Sequence, residues 1–378
     1  MTLHFNQTEK QIKTQDTEPR KIMKKTLTLL AAGGLMAAAT CQAQVNIYLT
    51  GSTAFRANTY RAVRAIYGAN LTSQNPADSS NTTGSNVVTW AGTIPALYGA
   101  QTVTVRASYS GSASGISALC NNSSLTFYNT GTPGDGTTVS AVADLTLSDV
   151  FQNATATLTP VLTDTNVGVQ PFAYVKSVGT GSTTTNITIQ QLQTFLSGGL
   201  LPLSYFTGNS SDDASLIYLV GRDSGSGTRI TAERDSLFIG SPLLWAPDGS
   251  CNWNTSAGFS SGSGISGVLS GTCGPAIGYL GIADAKNVNG GANILSYNGY
   301  KPFAGAITAP DYTAVRKGLY SFWGYEHLMK RTTASANVNS FFLRLANEIN
   351  NDLATSTTAI QVGSMLVSRS ADGGPISP

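Results

Sequence analysis

The sequence predicts an α/β fold made of repeated strand–turn–helix units. Three observations carry that prediction. Short apolar runs recur along the chain, each ends in a turn rich in Gly, Ser and Thr, and most are followed by a stretch with helical apolar spacing.

The first unit is "VNIYLTGSTAFRANTYRAVRAIYG". Residues 45–49 read as a strand, and Ser52 or Thr53 as the helix cap. Phe55, Ala62, Val63 and Ile66 share one helical face, and Gly68 suits the stop. "QTVTVRASYSGSASGISAL" repeats the scheme, with Val103 and Val105 alternating with threonines before Ile116 and Leu119. A third strand, "FAYVKSV", precedes a helix "NITIQQLQTFLSGG", capped near Thr188 and stopped at Gly198 and Gly199. The fourth unit is "LIYLVGRDSGSGTRITAERD". In the last, "SFWGYEHLM" is a strand and "NSFFLRLANEINNDL" a helix with Phe342, Leu345 and Ile349 on one face. Residues 70–92 and 250–272, rich in Gly, Ser and Asn, are expected to be surface loops. The tail "SADGGPISP" holds no apolar stretch.

The beginning of the 378-residue chain reads differently. Met23-Lys24-Lys25, an apolar core over 27–39 and Cys41-Gln42-Ala43 describe a secretory signal peptide over 23–43. Residues 1–22 fit a translation start placed too far upstream. A lipid anchor on Cys41 is the competing expectation, but Ala38-Ala39-Thr40 fits a lipobox poorly. Cleavage after Ala43 removes six of 22 basic and three of 20 acidic residues, leaving a formal net charge of −1. That balance argues against nucleic acid or an anionic membrane as the main partner. The expected location is periplasmic or secreted. Cys251 and Cys273 can pair in an oxidising compartment, and Cys120 reads as a buried small hydrophobe.

Hydroxyl side chains stand at several helix starts. A helix N-terminus offers N–H groups and partial positive charge, so it attracts anions. For a single turn, capping explains a serine or threonine fully. Four such turns, one carrying the strand-terminal Arg222, point instead to a shared anion.

The ordered motifs resemble those of the phosphate-binding proteins of ABC importers, within the class II periplasmic substrate-binding proteins. The resemblance rests on "GSTA" at 51–54, "YSGSASGISAL" at 109–119, "LSDV" at 147–150, "RDSGSGT" at 222–228, "AIGYLGIADA" at 276–285 and "VRKGLYSFWGYE" at 315–326. It implies a two-lobed type II periplasmic-binding-protein-like fold, with lobe I over 45–168 plus 319–378, lobe II over 169–318, and the ligand between them. It implies an oxyanion site of Ser52, Thr53, Ser112, Ser148, Asp149, Arg222, Ser224, Ser226, Gly227 and Thr228. Arg222 would give paired N–H bonds to anion oxygens. Asp149 would accept the proton that phosphate keeps and sulfate lacks. The family loop carries an acid where this chain has Ser224, with Asp223 one residue earlier, which weakens discrimination among tetrahedral oxyanions. The implied partners are inorganic phosphate and an ABC permease, met by a monomer with no cofactor.

Other readings are weaker. Arg56 and Arg229 are expected on solvated helix faces, Asp144 at the surface, "SGSGISG" at 261–267 in a flexible loop, and the aromatics of "YSFWGYE" in the core. Serine-nucleophile catalysis needs a base, and after residue 43 the only histidine is His327. No His/Cys cluster has zinc-ligand spacing. The alternative to a transport protein is a surface or adhesive protein that keeps the fold and works through its Gly/Ser-rich segments.

Overall fold

The computed structural model describes residues 44–79, 84–181 and 183–378. The expected signal peptide and the residues before it lie outside that range. The rest is one compact unit.

Ten strands form one mixed sheet: β1 (Val45–Gly51), β2 (Leu71–Asn75), β3 (Val87–Thr93), β4 (Thr102–Ser108), β5 (Leu145–Ser148), β6 (Thr163–Lys176), β7 (Leu200–Pro202), β8 (Leu216–Val220), β9 (Ala276–Gly281) and β10 (Trp323–Lys330). Their order is β7-β8-β9-β6-β10-β5-β1-β4-β3-β2. The 14-residue β6 joins two halves of this sheet. It pairs antiparallel with β10 over residues 163–171 and with β9 over 172–176. β1 is parallel to β4 and β5 in one half; β8 is parallel to β9 in the other.

Each half buries its own apolar side chains. Helices α1 (Arg56–Tyr67), α2 (Ser112–Cys120) and α7 (Ala336–Leu353) accompany the β1 half. Its core joins Ile47, Leu49 and Val105 to Phe341, Leu345 and Ile349 on α7. Helices α3 (Ile189–Gly198), α4 (Gly227–Asp235), α5 (Gly262–Ser270) and α6 (Ile282–Ala285) accompany the β9 half. There Leu192, Phe195, Ile217, Leu219, Ile277 and Tyr279 are buried together. At roughly 1.5–3 kcal/mol per fully buried large apolar side chain, two such cores favour the α/β fold that the repeated units predicted and the two lobes that the resemblance implied.

Several local expectations are met. Thr188 caps α3 with a reciprocal Gln191 bond, and Gly199 ends it in the left-handed region at φ 72°. Gly68 follows α1, Cys120 is buried, and Cys251 and Cys273 are bonded with Cα atoms 4.9 Å apart.

Other expectations need correction. Residues 70–92 are no mere loop, because they supply β2 and β3, with Val88, Thr89 and Trp90 buried. Residues 250–272 contain a strand, Trp253–Ser256, and helix α5, so 261–267 is no flexible loop. The small residues there reflect close packing: a Cβ at Gly262 would collide with the Asp284 carboxylate, and one at Gly264 with Phe259. Helix α1 starts at Arg56 behind Phe55, without a side-chain bond from its N-cap residue. The Ser52 hydroxyl instead accepts the Phe55 N–H at 3.3 Å.

Candidate anion-binding site

The predicted residues fall at the C-terminal ends of β1, β4, β5 and β8, where open α/β sheets place their ligands. Ser52 and Thr53 follow β1, Ser112 opens α2, Ser148 ends β5 with Asp149 next, and Arg222 lies just beyond β8. Ser226 is the N-cap of α4, whose first residues are Gly227 and Thr228.

Asp149 is the centre of the cluster and is 1% exposed. Its Oδ1 accepts the Ser112 hydroxyl, and its Oδ2 accepts the Thr228 hydroxyl at 3.2 Å. The Asp149 N–H is donated to the Ser112 hydroxyl at 3.3 Å. One residue from the β1 half thus holds side chains from both halves. Burial pushes the Asp149 carboxyl up; Ser112, the Arg222 charge and Thr228 oppose that rise. Gly227 lets α4 approach this carboxylate, since a Cβ there would collide with Asp149 Oδ1. The carboxylate therefore faces the N-terminus of α4, the end that favours negative charge.

Arg222 is 2% exposed. Its Nε donates to the Phe259 carbonyl at 3.0 Å and its Nη2 to the Ser260 carbonyl at 2.8 Å. These two bonds fix the guanidinium plane and leave the Nη1 protons without an acceptor among those bonds. Phe259 also forms a parallel bridge with Arg222, so the segment between the bonded cysteines frames the arginine. Sequence reasoning missed this frame, because backbone carbonyls carry no residue signature.

The remaining predicted residues divide. The Thr53 hydroxyl is buried without a partner, whereas Ser52 and Ser226 accept helix N–H bonds and keep their own protons to donate. The Ser148 hydroxyl is used locally, donating to the Val150 carbonyl at 2.6 Å. Ser224 does not join the cluster. It is exposed and lines a separate cavity of about 650 Å³ with Ser110, Ala113 and Ser114. Its loop turns it outward because Asp223 Oδ1 accepts the Gly225 N–H at 3.1 Å and the Gly225 carbonyl accepts the Ala113 N–H at 3.0 Å. That carbonyl also accepts the Ser114 N–H at 3.3 Å, so these two α2 donors already have a partner. Replacing Ser224 by Asp is expected to change the ratio of phosphate to sulfate affinity by less than about twofold, as befits a solvated position. Titration calorimetry with both anions checks it.

The two other arginines also depart from expectation. Arg56 is buried and bonded to Asp284 Oδ1 of α6 at 2.9 Å, while its Nη1 donates to the Thr53 carbonyl. Arg229 bonds Glu233 at 2.7 Å along α4. Arg56, Asp284 and Thr53 line a cavity of about 280 Å³ beside the cluster. Asp144 is half-buried and accepts the Tyr48 N–H, and His327 is buried against Asp164 at 2.8 Å. Two buried groups near the cluster were not predicted. The Glu326 carboxyl and the Tyr109 hydroxyl both lack a hydrogen-bond partner. The signal for Glu326 was its place as a lone acid in the apolar run "SFWGYEHLM". Among the described residues no group of three or more His, Cys, Asp or Glu could hold a metal ion.

No protein-family model matches the chain, and no curated protein matches it by sequence. Solved structures do match. A Clostridium perfringens protein assigned as a phosphate ABC-transporter substrate-binding protein, solved with bound phosphate, superposes with a TM-score of 0.53. The match covers 84% of this chain and 99% of that one at 14% identity. The fold is that of the substrate-binding proteins. An ABC-type phosphate transport receptor from Vibrio cholerae matches over 83% of this chain and 99% of its own, at 16% identity and a TM-score of 0.46. The Asp149 cluster joins side chains from the two sheet halves.

Proposed function

We propose that this chain is an exported substrate-binding protein that captures a tetrahedral oxyanion, inorganic phosphate first, for an ABC importer. One observation carries the reading: Ser112, Asp149 and Thr228, from three strand ends, are hydrogen-bonded together and buried, the Arg222 charge acts on Asp149, and Ser52 and Thr53 are buried at the end of a fourth strand. The fold shared with the phosphate-bound Clostridium perfringens protein supports phosphate as the first choice.

In this reading Arg222 supplies the charge and the free Nη1 protons. Ser52, Thr53 and Ser226 supply hydroxyl donors, with the first N–H groups of α4. Asp149 accepts the ligand's proton. A fully deprotonated anion would meet that carboxylate as an unpaired like charge, at a cost of about 1–3 kcal/mol or more. Lobe I is residues 45–168 plus 319–378 and lobe II is 169–318, with closure around the anion as the working motion. The closed monomer then docks on its permease. Among the described residues no helix is long and apolar enough to cross a membrane.

Calorimetric titration of the purified protein with phosphate, arsenate and sulfate tests the proposal. Phosphate and arsenate are expected to bind, with sulfate weaker by at least about tenfold, the factor that corresponds to 1.4 kcal/mol. Binding of none of the three would defeat the transport reading and favour a structural role for the fold.

A further inference from the structure

We infer that Glu326 is a second acid of this site: held neutral by its surroundings, it donates a hydrogen bond to the bound oxyanion. The inference rests on the anion-binding reading above and deepens it.

The strand geometry places Glu326. β10 runs antiparallel to β5 with His327 opposite Ser148. The pairing ends at that point, so Glu326 and Asp149 are the next residues beyond the paired ends of the two strands. Gly324, on the same face of β10 two residues earlier, packs so closely that a Cβ would collide with the Asp149 carbonyl. Glu326 is 0% exposed and both of its oxygens lack a hydrogen-bond partner. An acid in that position serves no packing or pairing purpose within the chain. It is a buried polar group whose neighbours include two predicted ligand residues, Asp149 and Ser52.

The charges around it decide its state. Asp149 faces it from β5, the Tyr109 hydroxyl from the end of β4, and the Ser52 hydroxyl from the end of β1. Arg56 acts on Tyr109, Arg222 acts on Asp149, and the adjacent His327 is bound to Asp164. No cation touches Glu326 itself. Burial, reinforced by the Asp149 charge, holds its carboxyl well above the usual range, against a small opposing effect of Ser52. The two acids thus divide the work: Asp149, with hydroxyl donors and the arginine charge, accepts, and neutral Glu326 donates. Ionisation of Glu326 would set a second carboxylate against the anion.

The test measures phosphate affinity of the wild-type protein, Glu326→Gln and Glu326→Leu from pH 6 to 9. Glutamine keeps a neutral donor, so wild type and Glu326→Gln are expected to agree within about twofold at pH 6. Wild type should fall behind Glu326→Gln only where pH climbs far enough to ionise Glu326; the ratio cancels the titration of phosphate itself. Glu326→Leu, lacking a donor, should be weaker than Glu326→Gln by about tenfold or more throughout, as for other hydrogen bonds to charged groups. Leucine binding as well as wild type, or a wild type already about tenfold weaker than Glu326→Gln at pH 6, overturns the inference and leaves the anion-binding reading standing. If the leucine variant does not fold by circular dichroism, the ratio decides alone. Failure of the wild type to bind phosphate overturns the anion-binding reading, and this inference with it.

Discussion

Arg222→Ala is expected to weaken phosphate binding at least about a hundredfold, near 3 kcal/mol, the upper range for hydrogen bonds to charged groups. The guanidinium is the only cation placed to act on the Asp149 carboxylate, and its removal takes away both charge and donor geometry. Arg222→Lys should recover only part of the loss, because an ammonium cannot reproduce a planar fork held by the Phe259 and Ser260 carbonyls. Calorimetry gives the affinities, and near-ultraviolet circular dichroism shows whether the fold persists. A pH effect follows as well. The Asp149 carboxyl already lies above its usual value through burial, with the arginine opposing the rise. Without Arg222 it rises further. A carboxyl raised in the folded state stabilises fully only below its unfolded value, and that contribution is lost as pH climbs through the folded value. The variant should therefore go on losing stability relative to wild type once pH passes the wild-type folded value of Asp149. An Arg222→Ala protein that binds phosphate normally would remove the arginine from the site.

The second large effect concerns stability. Arg56 on α1 and Asp284 on α6 form a buried ion pair between the two sheet halves, with side chains only 5% exposed. Arg56→Ala strands the carboxylate and also leaves the Thr53 and Gly84 carbonyls without their donor. Breaking such a pair costs about 3–5 kcal/mol. Urea unfolding should show this loss, and Arg56→Ala with Asp284→Ala together should cost less than the sum of the two single changes. The half-exposed pair of Arg344 with Glu348, also at 2.9 Å, serves as a control. Its loss should cost about 0.5 kcal/mol or less. Equal effects at the two positions would mean that the lobes do not depend on the buried pair.

Much of the architecture was legible because it is written in periodicity and end signals. The helix over 336–353 buries Phe342, Leu345 and Ile349, the face read from the sequence, together with Phe341, and the cap at Thr188 has its Gln191 partner three residues on. Arg222 was legible as a charged side chain at a strand end, whereas Asp149 was reached only through the resemblance of "LSDV" to a family element. What failed was composition. Glycine and serine in 250–272 were taken for looseness, yet Gly262 and Gly264 are small because Asp284 and Phe259 press on them. Arg56 was assigned to solvent because its partner is 228 residues away, a separation that local pattern does not span. Ser224 was placed by alignment with a motif, but the loop bond from Asp223 turns the chain one residue out of step. Glu326 stands as a lone acid in an apolar run, but its burial without a hydrogen-bond partner depends on the surrounding fold and is not legible locally.

The Cys251–Cys273 bond encloses the residues whose carbonyls aim Arg222. A cross-link spanning 22 positions stabilises by about 3 kcal/mol on the chain-entropy account. Reduced, the same segment would hold the guanidinium by backbone pairing alone, with its wider conformational freedom restored. The aim of Arg222 is therefore tied to that cross-link: under reducing conditions the guanidinium has a looser frame than under oxidising ones.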